Sequence, residues 1–279
     1  LQMPFGGTVS ADSYLSGTRA AACGGVTTIF DYPVQHTGET NRGLVNSKKE
    51  ILETDACVDY AMHCCITDLN GGEILDEMEK AVEEGITSFK CFLVYKKEGM
   101  MVDDATLARL LLRARELGAI INIHAENPDL IDMYTEQFLK EGKTSAWYHY
   151  LSRPEFVEAE ADKRAVHWAK NLDAPLYVVH MADKEGLEAC IDAKRAGAEV
   201  YIETCPQYLE FMKGQESQDA LWQALKAGLI DTVATDHCPF QSYEKDWGKD
   251  DFTKIPGGMP GVETRGTLLY TYGVDAGRI

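Results

Sequence analysis

The sequence lacks several features that mark whole classes of protein. No apolar stretch approaches the roughly 20 residues that span a bilayer, and no signal-peptide pattern opens the chain. Positive charge is scarce, because 27 Lys and Arg stand against 45 Asp and Glu, for a formal net charge of -18. Nucleic acids and anionic membranes are therefore disfavoured, and we predict that the chain binds neither of them.

The eight cysteines include no CxxC pair, which disfavours a structural zinc ribbon. Cys64, Cys65, Cys91 and Cys205 lie in or beside apolar runs, where free thiols behave as small hydrophobic side chains. In a chain of 279 residues this distribution does not suggest a disulfide framework. We therefore predict free thiols, a reducing compartment and a cytoplasmic protein.

Short apolar runs alternate with longer amphipathic ones along the chain. The predicted strands are 26–32, 58–67, 86–95, 119–126, 175–182, 198–205 and 230–238. Between them, apolar residues recur at three- and four-residue spacing, which predicts helices over 104–117 and 163–172 among others. Seven strand-then-helix units favour a (β/α)8 barrel or a doubly wound parallel sheet. The doubly wound alternative is weakened because no glycine-rich phosphate loop follows the early strands. A barrel would need an eighth strand upstream of Leu1.

Four predicted strands carry a polar residue on one face near the C-terminal end. These residues are Lys90, on a face with Ser88 and Phe92; His124, with Ile120 and Asn122; His180, with Leu176 and Val178; and Asp236, with Thr232 and Ala234. In a barrel the inward faces converge at the C-terminal rim, so the four side chains could share one site. Two histidines and a carboxylate suit zinc or another divalent ion. A buried ammonium is costly and repels a cation, so Lys90 fits only if its charge is reversed.

The chain resembles the dihydropyrimidinase/hydantoinase branch of the cyclic amidohydrolases over nearly its whole length. The segments that carry the resemblance keep the family's order and are MPFGGT (3–8), FKCFLVYK (89–96), HAEN (124–127), VVHMA (178–182), ETCPQYL (203–209) and ATDHCPF (234–240). The resemblance implies an α/β fold, a (β/α)8 TIM barrel of amidohydrolase type, whose first strand is missing from the given chain. Residues 1–279 would then be a barrel domain that is incomplete at both ends, without the family's β-sandwich domain.

The resemblance also implies a binuclear metal centre. Lys90 would be N6-carboxylated by CO2, since burial lowers a lysine's pKa and frees neutral amine to react. The carbamate would bridge two divalent ions, usually Zn2+, of which His124 and His180 bind one and Asp236 binds the other. A hydroxide activated by the two ions would attack the ring amide carbonyl. Tyr95 would hydrogen-bond the developing oxyanion, and Asp236 would also pass a proton to the departing nitrogen.

The implied function is hydrolytic ring opening of a small-molecule cyclic amide. The substrates would be 5,6-dihydropyrimidines such as dihydrouracil, or 5-substituted hydantoins, and the sequence does not separate the two. Met3, Phe5 and Phe92 would line the pocket for the exocyclic group, with plain core packing as their alternative explanation. The resemblance further implies a homo-oligomer, commonly a tetramer.

The chain departs from the family pattern at three places. The HxH pair that would precede LQMPFGG is absent, which we interpret as truncation. The segment after Leu209 is shorter than the family's, and Gly257 stands where the family often has asparagine.

Sister enzymes and a non-catalytic relative are the competing hypotheses. Dihydroorotases carry an arginine shortly after the HxH pair, whereas no arginine precedes Arg19 here, and the allantoinase-like branch lacks MPFGGT. A non-catalytic interaction protein would typically have replaced the lysine, a histidine or the aspartate, all of which are present.

The remaining histidines are expected outside the site. We predict that His36, His149 and His167 lie on solvated loop or helix surfaces. His63 is expected in the core or behind the site, and His237 on the face opposite to the neighbouring aspartate.

Overall fold

The computed structural model describes residues 1–35 and 38–279, so the prediction for His36 falls outside the described residues. The β-strands of the described residues are β1 Pro4–Phe5, β2 Thr8–Val9, β3 Thr28–Asp31, β4 Asp59–Met62, β5 Cys64–Cys65, β6 Ser88–Phe92, β7 Ile120–His124, β8 Leu176–Val178, β9 Val200–Thr204 and β10 Thr232–Val233. Their α-helices are α1 Tyr14–Cys23, α2 Asn41–Asp55, α3 Glu73–Glu83, α4 Asp104–Leu117, α5 Pro128–Lys140, α6 Trp147–Leu151, α7 Glu155–Leu172, α8 Lys184–Arg195, α9 Pro206–Glu210, α10 Gln215–Lys226, α11 Ser242–Lys245 and α12 Arg265–Leu269. Within these ranges, no helix has the length and apolarity that a membrane span requires.

Parallel strands in chain order form the wall of a barrel. Strands β5 to β10 make one parallel sheet in which every neighbour in space is also the neighbour in sequence. Strands β3 and β4 form a second parallel pair, and a bridge from Val34 to Cys65 leads to the larger sheet. The short β1–β2 pair is antiparallel and lies outside this wall. The seven predicted strand-then-helix units are thereby confirmed, with the run 58–67 divided into β4 and β5. The eighth strand stays a prediction.

Helix α4 shows how the local sequence fixes an element. The Asp103 side chain accepts a hydrogen bond from the Thr106 N–H, and Gly118 ends the helix in the left-handed conformation. The residues at three- and four-residue spacing are fully buried, namely Leu107, Leu110, Leu111 and Ala114. The helix therefore packs on the sheet over the range that the sequence predicted.

The main apolar core lies between the sheet and the helices, and the opposite strand faces point into the barrel. Phe89 and Cys91 belong to the core, whereas Lys90 between them points inward. In β8 the predicted face is wrong, because Leu176 and Val178 pack in the outer core. Tyr177 is the inward residue, and its hydroxyl donates to Glu203 Oε2 at 2.7 Å.

The His180 side chain nevertheless points into the barrel interior. The cause is the backbone conformation after the strand end, which strand alternation does not predict. Strand β8 ends at Val178, and His180 has a φ of 43°. A left-handed residue after the strand reverses the direction of its side chain, which cancels the error in the predicted face.

Candidate active site

A cavity of about 810 Å³ opens at the C-terminal ends of the barrel strands. The predicted site residues that line it are Met3, Phe5, Phe92, Tyr95, His124, His180 and Asp236. Lys90 lies beneath these residues, 4% exposed, with Nζ 5.0 Å from the centroid of the Phe92 ring. The structure therefore brings all eight residues to one end of the barrel, and the roles assigned to them remain predictions.

Two histidines face each other in this cavity. His124 Nδ1 and His180 Nε2 lie 2.8 Å apart, and the backbone N–H of His180 donates to Glu203 Oε1 at 3.1 Å. Burial lowers the pKa of His180 well below its usual value, and the neighbouring His124 and Lys90 lower it further. The His180 imidazole is therefore neutral and offers a lone pair, which is the form that binds a metal ion.

A carboxylate and a guanidinium orient the first of these histidines. Glu126 Oε2 lies 2.8 Å from His124 Nε2 and accepts a hydrogen bond of 2.7 Å from Arg153 Nη1. Burial alone would raise the pKa of Glu126, but Arg153 and His124 hold it well below the usual range. Because the ionised carboxylate favours a proton on Nε2, the lone pair of His124 is placed on Nδ1, facing His180.

Sequence reasoning missed both members of this pair. The HAEN motif contains Glu126, but only its histidine is predicted as a site residue. Arg153 lies between α6 and α7, 27 residues away from its partner, and no local pattern marks it.

Lys90 is buried without a salt bridge among the described residues. Its Nζ lies over the rings of Tyr32 and Phe92, at 5.7 and 5.0 Å from their centroids. Burial lowers the lysine pKa to about 8, against the opposing influence of neighbouring groups such as Cys65 and Asp236. At pH 7 about one tenth of the lysine is then neutral, which is the form that reacts with CO2.

Asp236 and Tyr95 both hold unusual backbone conformations at the cavity. Their φ angles are 48° and 65°, in the left-handed region that residues other than glycine rarely adopt. The Tyr95 ring lies 5.1 Å from Phe5 and 5.2 Å from His124, centroid to centroid. Burial is the main cause that raises the pKa of Tyr95, so the phenol stays protonated and can donate a hydrogen bond.

His237 is anchored away from the cavity. Its Nε2 lies 2.8 Å from Asp12 Oδ2, and its Nδ1 accepts hydrogen bonds from the N–H groups of Gly261 and Val262. These contacts tie the segment after β10 to the loops beside it and so position Asp236, the residue before His237.

His149 contradicts the prediction of a solvated surface residue. It lies in α6 and lines the cavity, where burial lowers its pKa to about 4 and the charge of Arg153 adds to the effect. The prediction failed because the short helix α6 packs over the cavity. The sequence of its five residues does not indicate this packing. His63, by contrast, lies inside the barrel, with Nδ1 2.6 Å from Ser88 Oγ and 2.8 Å from Asn122 Nδ2.

The donor chemistry fits the predicted metal centre. Two imidazoles, a carboxylate and a buried lysine with a lowered pKa converge at one cavity. Among residues 1–35 and 38–279, one group of three His, Cys, Asp or Glu residues has ligand atoms that all lie within 4.8 Å of one another. This group consists of Glu158, Asp162 and Asp183. Asp236 therefore does not join the histidine pair in so compact a group.

The parallel β/α barrel with this set of side chains at its C-terminal end defines the amidohydrolase type of TIM barrel. No family model matches the chain. The D-hydantoinase of Geobacillus stearothermophilus is 40% identical over 301 residues, which take in 100% of this chain and 64% of that protein. The D-hydantoinase of Streptomyces coelicolor is 41% identical over 292 residues, covering 97% of this chain and 62% of that protein.

A crystal structure of dihydropyrimidinase from Brevibacillus agri has a TM-score of 0.97 at 42% identity, over 100% of this chain and 65% of that one. The chain belongs to the dihydropyrimidinase/hydantoinase family, as the sequence motifs predicted. It spans less than two thirds of the length of these relatives.

Proposed function

We propose that this chain carries the site of a cyclic amide hydrolase. The substrates are 5,6-dihydropyrimidines such as dihydrouracil, or 5-substituted hydantoins, in keeping with relatives named dihydropyrimidinase and D-hydantoinase. The observation that carries the proposal is the convergence of Lys90, His124, His180 and Asp236 at one cavity, beside the neutral phenol of Tyr95.

Four of these side chains would hold two divalent metal ions, with Zn2+ as the proposed metal. The neutral Lys90 amine adds to CO2 and loses a proton, so the buried cation becomes an anion. The carbamate, His124 and His180 would hold one ion, and the carbamate and Asp236 the other. When bound, the ions supply the polarisation of the amide carbonyl and lower the pKa of water.

The other residues bind the substrate and move its proton. The Tyr95 hydroxyl donates a hydrogen bond to the oxygen of the amide that is cleaved, where negative charge develops. Asp236 carries a proton to the departing ring nitrogen, which opens the ring. Met3, Phe5 and Phe92 contact the exocyclic substituent of the substrate.

The proposal is tested on the purified native protein by measuring bound metal, intact mass and ring opening together. We expect about two divalent ions per chain and hydrolysis of dihydrouracil or of a 5-monosubstituted hydantoin. Asp236→Asn should abolish the hydrolysis, whereas Asp192→Asn, on the exposed side of α8, should leave it unchanged. A metal-loaded protein that opens neither ring would contradict the proposal and would favour a non-catalytic role.

We also propose a homotetramer in a reducing, cytoplasmic compartment. All eight cysteines are free thiols, five of them buried, which supports the compartment. Sedimentation equilibrium of the native protein tests the tetramer.

A further inference from the structure

A second group of acidic side chains lies between α7 and α8 and has no part in the proposed reaction. Glu158 and Asp162 are one turn apart on α7, and Asp183 is the N-cap residue of α8. Their ligand oxygens all lie within 4.8 Å of one another. Asp162 and Asp183 are each only 1% exposed, so this is not a solvated acidic surface.

Two oxygens of this group have no hydrogen-bond partner among the described residues. They are Asp162 Oδ2 and Asp183 Oδ2, both fully shielded from solvent. The other oxygen of Asp183 accepts the Gly186 N–H at 2.8 Å, which caps α8. A buried carboxylate oxygen without a partner is strongly destabilising, so two of them at one place call for a bound cation or a shared proton between them.

The two unpartnered oxygens lie close to the backbone of α8 at Gly186. A Cβ atom on Gly186 would lie 2.5 Å from Asp162 Oδ2 and 2.8 Å from Asp183 Oδ2. No side chain fits there, since real Cβ atoms do not approach other atoms so closely. Both unpartnered oxygens therefore face the same small region beside Gly186.

The positive charge at the group is less than its carboxylates require. Lys213 Nζ donates to Glu158 Oε2 at 2.9 Å, and Glu158 Oε1 accepts the Ala182 N–H at 2.9 Å. These hydrogen bonds give Glu158 a positively charged partner and a backbone donor, but they do not involve Asp162 or Asp183. Two other nearby lysines are engaged elsewhere, since Lys163 pairs with Glu185 and Lys184 with Glu216. Burial, with Glu158 as the next cause, raises the pKa of Asp183 to about 7.

We propose that Glu158, Asp162 and Asp183 bind one hard divalent cation, of the class of Mg2+, Ca2+ and Mn2+. Carboxylate oxygens are the ligands that these ions prefer, and a site with no nitrogen or sulfur donor disfavours zinc. By binding both unpartnered oxygens, Asp162 Oδ2 and Asp183 Oδ2, the ion links α7 to the start of α8. Glu158 also lines the cavity of the candidate active site, but none of the three carboxylates is among the residues proposed to hold its two metal ions, so the inference does not rest on the proposed function.

The competing explanation is that the two aspartates share a proton. A shared proton would also relieve the repulsion between two buried carboxyl groups. The two explanations differ in what the protein binds and in how Asp162→Asn behaves, so one set of measurements separates them.

The experiment is isothermal titration calorimetry of the native, metal-loaded protein with CaCl2, MgCl2 and MnCl2 in turn. The variants are Asp162→Asn, which removes one ligand charge, and Asp183→Ser, whose hydroxyl can still cap α8. Asp192→Asn is the matched control, because it removes an exposed carboxylate from the same helix. The melting temperature of each protein is measured with and without the cation, which also shows that each variant is folded.

We expect saturable binding of one equivalent per chain in the wild type and in Asp192→Asn, with a rise in melting temperature. Both ligand variants should bind the cation about tenfold or more weakly. The proposal is overturned if none of the three cations binds, or if all variants bind alike. It is equally overturned if Asp162→Asn raises the melting temperature at neutral pH while the wild type binds no cation, since the aspartates then share a proton.

Discussion

Replacing Glu126 by glutamine tests whether its carboxylate holds the histidine side of the site in place. Glu126 Oε2 contacts both Arg153 Nη1 and His124 Nε2, at 2.7 and 2.8 Å. In Glu126→Gln the neutral amide can still accept from His124, but Arg153 loses the charge that compensates it. The change therefore separates the effect of the charge from that of the shape.

The cost in stability follows from how far the pair is buried. The side chains of Glu126 and Arg153 are 15% and 25% exposed. Breaking a fully buried ion pair costs about 3–5 kcal/mol, and an exposed pair contributes about 0–1 kcal/mol. Because both groups retain some contact with water, we expect Glu126→Gln to lower the free energy of unfolding by about 2 kcal/mol.

Urea unfolding of the metal-free protein measures this free energy, in a double-mutant cycle with Arg153→Met. The coupling energy should approach the full cost, because either single change removes the same interaction. Glu136→Gln is the control, since that glutamate is 69% exposed and forms only a 3.7 Å ion pair with Lys140. Its effect should stay within about 0.5 kcal/mol.

The pH dependence of the same cycle has a definite sign. Arg153 and His124 lower the folded-state pKa of Glu126, so the unfolded state binds more protons at acid pH. The stabilisation is therefore complete above the ordinary glutamate range and is lost as the pH falls below it. Zinc affinity of Glu126→Gln should also fall by about 10- to 100-fold. A coupling energy under about 0.5 kcal/mol, or an unchanged zinc affinity, would refute the reasoning.

Three further changes test other parts of the structure. Tyr95→Phe removes one donor to the developing oxyanion and should lower kcat by about 10²-fold, with bound metal unchanged by elemental analysis. Lys90→Met removes a costly buried ammonium, so it should stabilise the metal-free protein in urea by about 1–3 kcal/mol and abolish binuclear metal binding. Asp103→Ala removes the cap of α4 and should cost about 1 kcal/mol in thermal unfolding, whereas Asp103→Asn should cost little. Hydrogen bonds from Thr106 lower the folded-state pKa of Asp103, so the deficit of the alanine variant should shrink as the pH falls below the usual aspartate range.

Local sequence predicts the elements well where one local cause determines them. The apolar spacing of 104–117 predicts helix α4 over its observed range, and the residues that cap it, Asp103 and Gly118, directly flank the segment. Strand alternation likewise placed Lys90 and His124 on the inward face, since β6 and β7 extend as far as these residues or beyond.

The errors arose where the cause lies outside the segment. The predicted face of 175–182 is wrong because β8 ends at Val178, and a left-handed His180 then redirects the side chain. Arg153 and His149 enter the site only when the region around α6 folds over the cavity. The acidic group between α7 and α8 likewise needs two helices in contact, and no spacing within either helix shows it.

The left-handed backbone at Tyr95, His180 and Asp236 has an evolutionary consequence. Each such residue costs about 1 kcal/mol relative to glycine, and asparagine also tolerates the conformation better. A lineage released from catalysis would gain stability by single substitutions at these positions, and selection for stability would favour them. A chain that keeps a tyrosine, a histidine and an aspartate there maintains a burden of about 3 kcal/mol, which is a sizeable share of the stability of a typical domain.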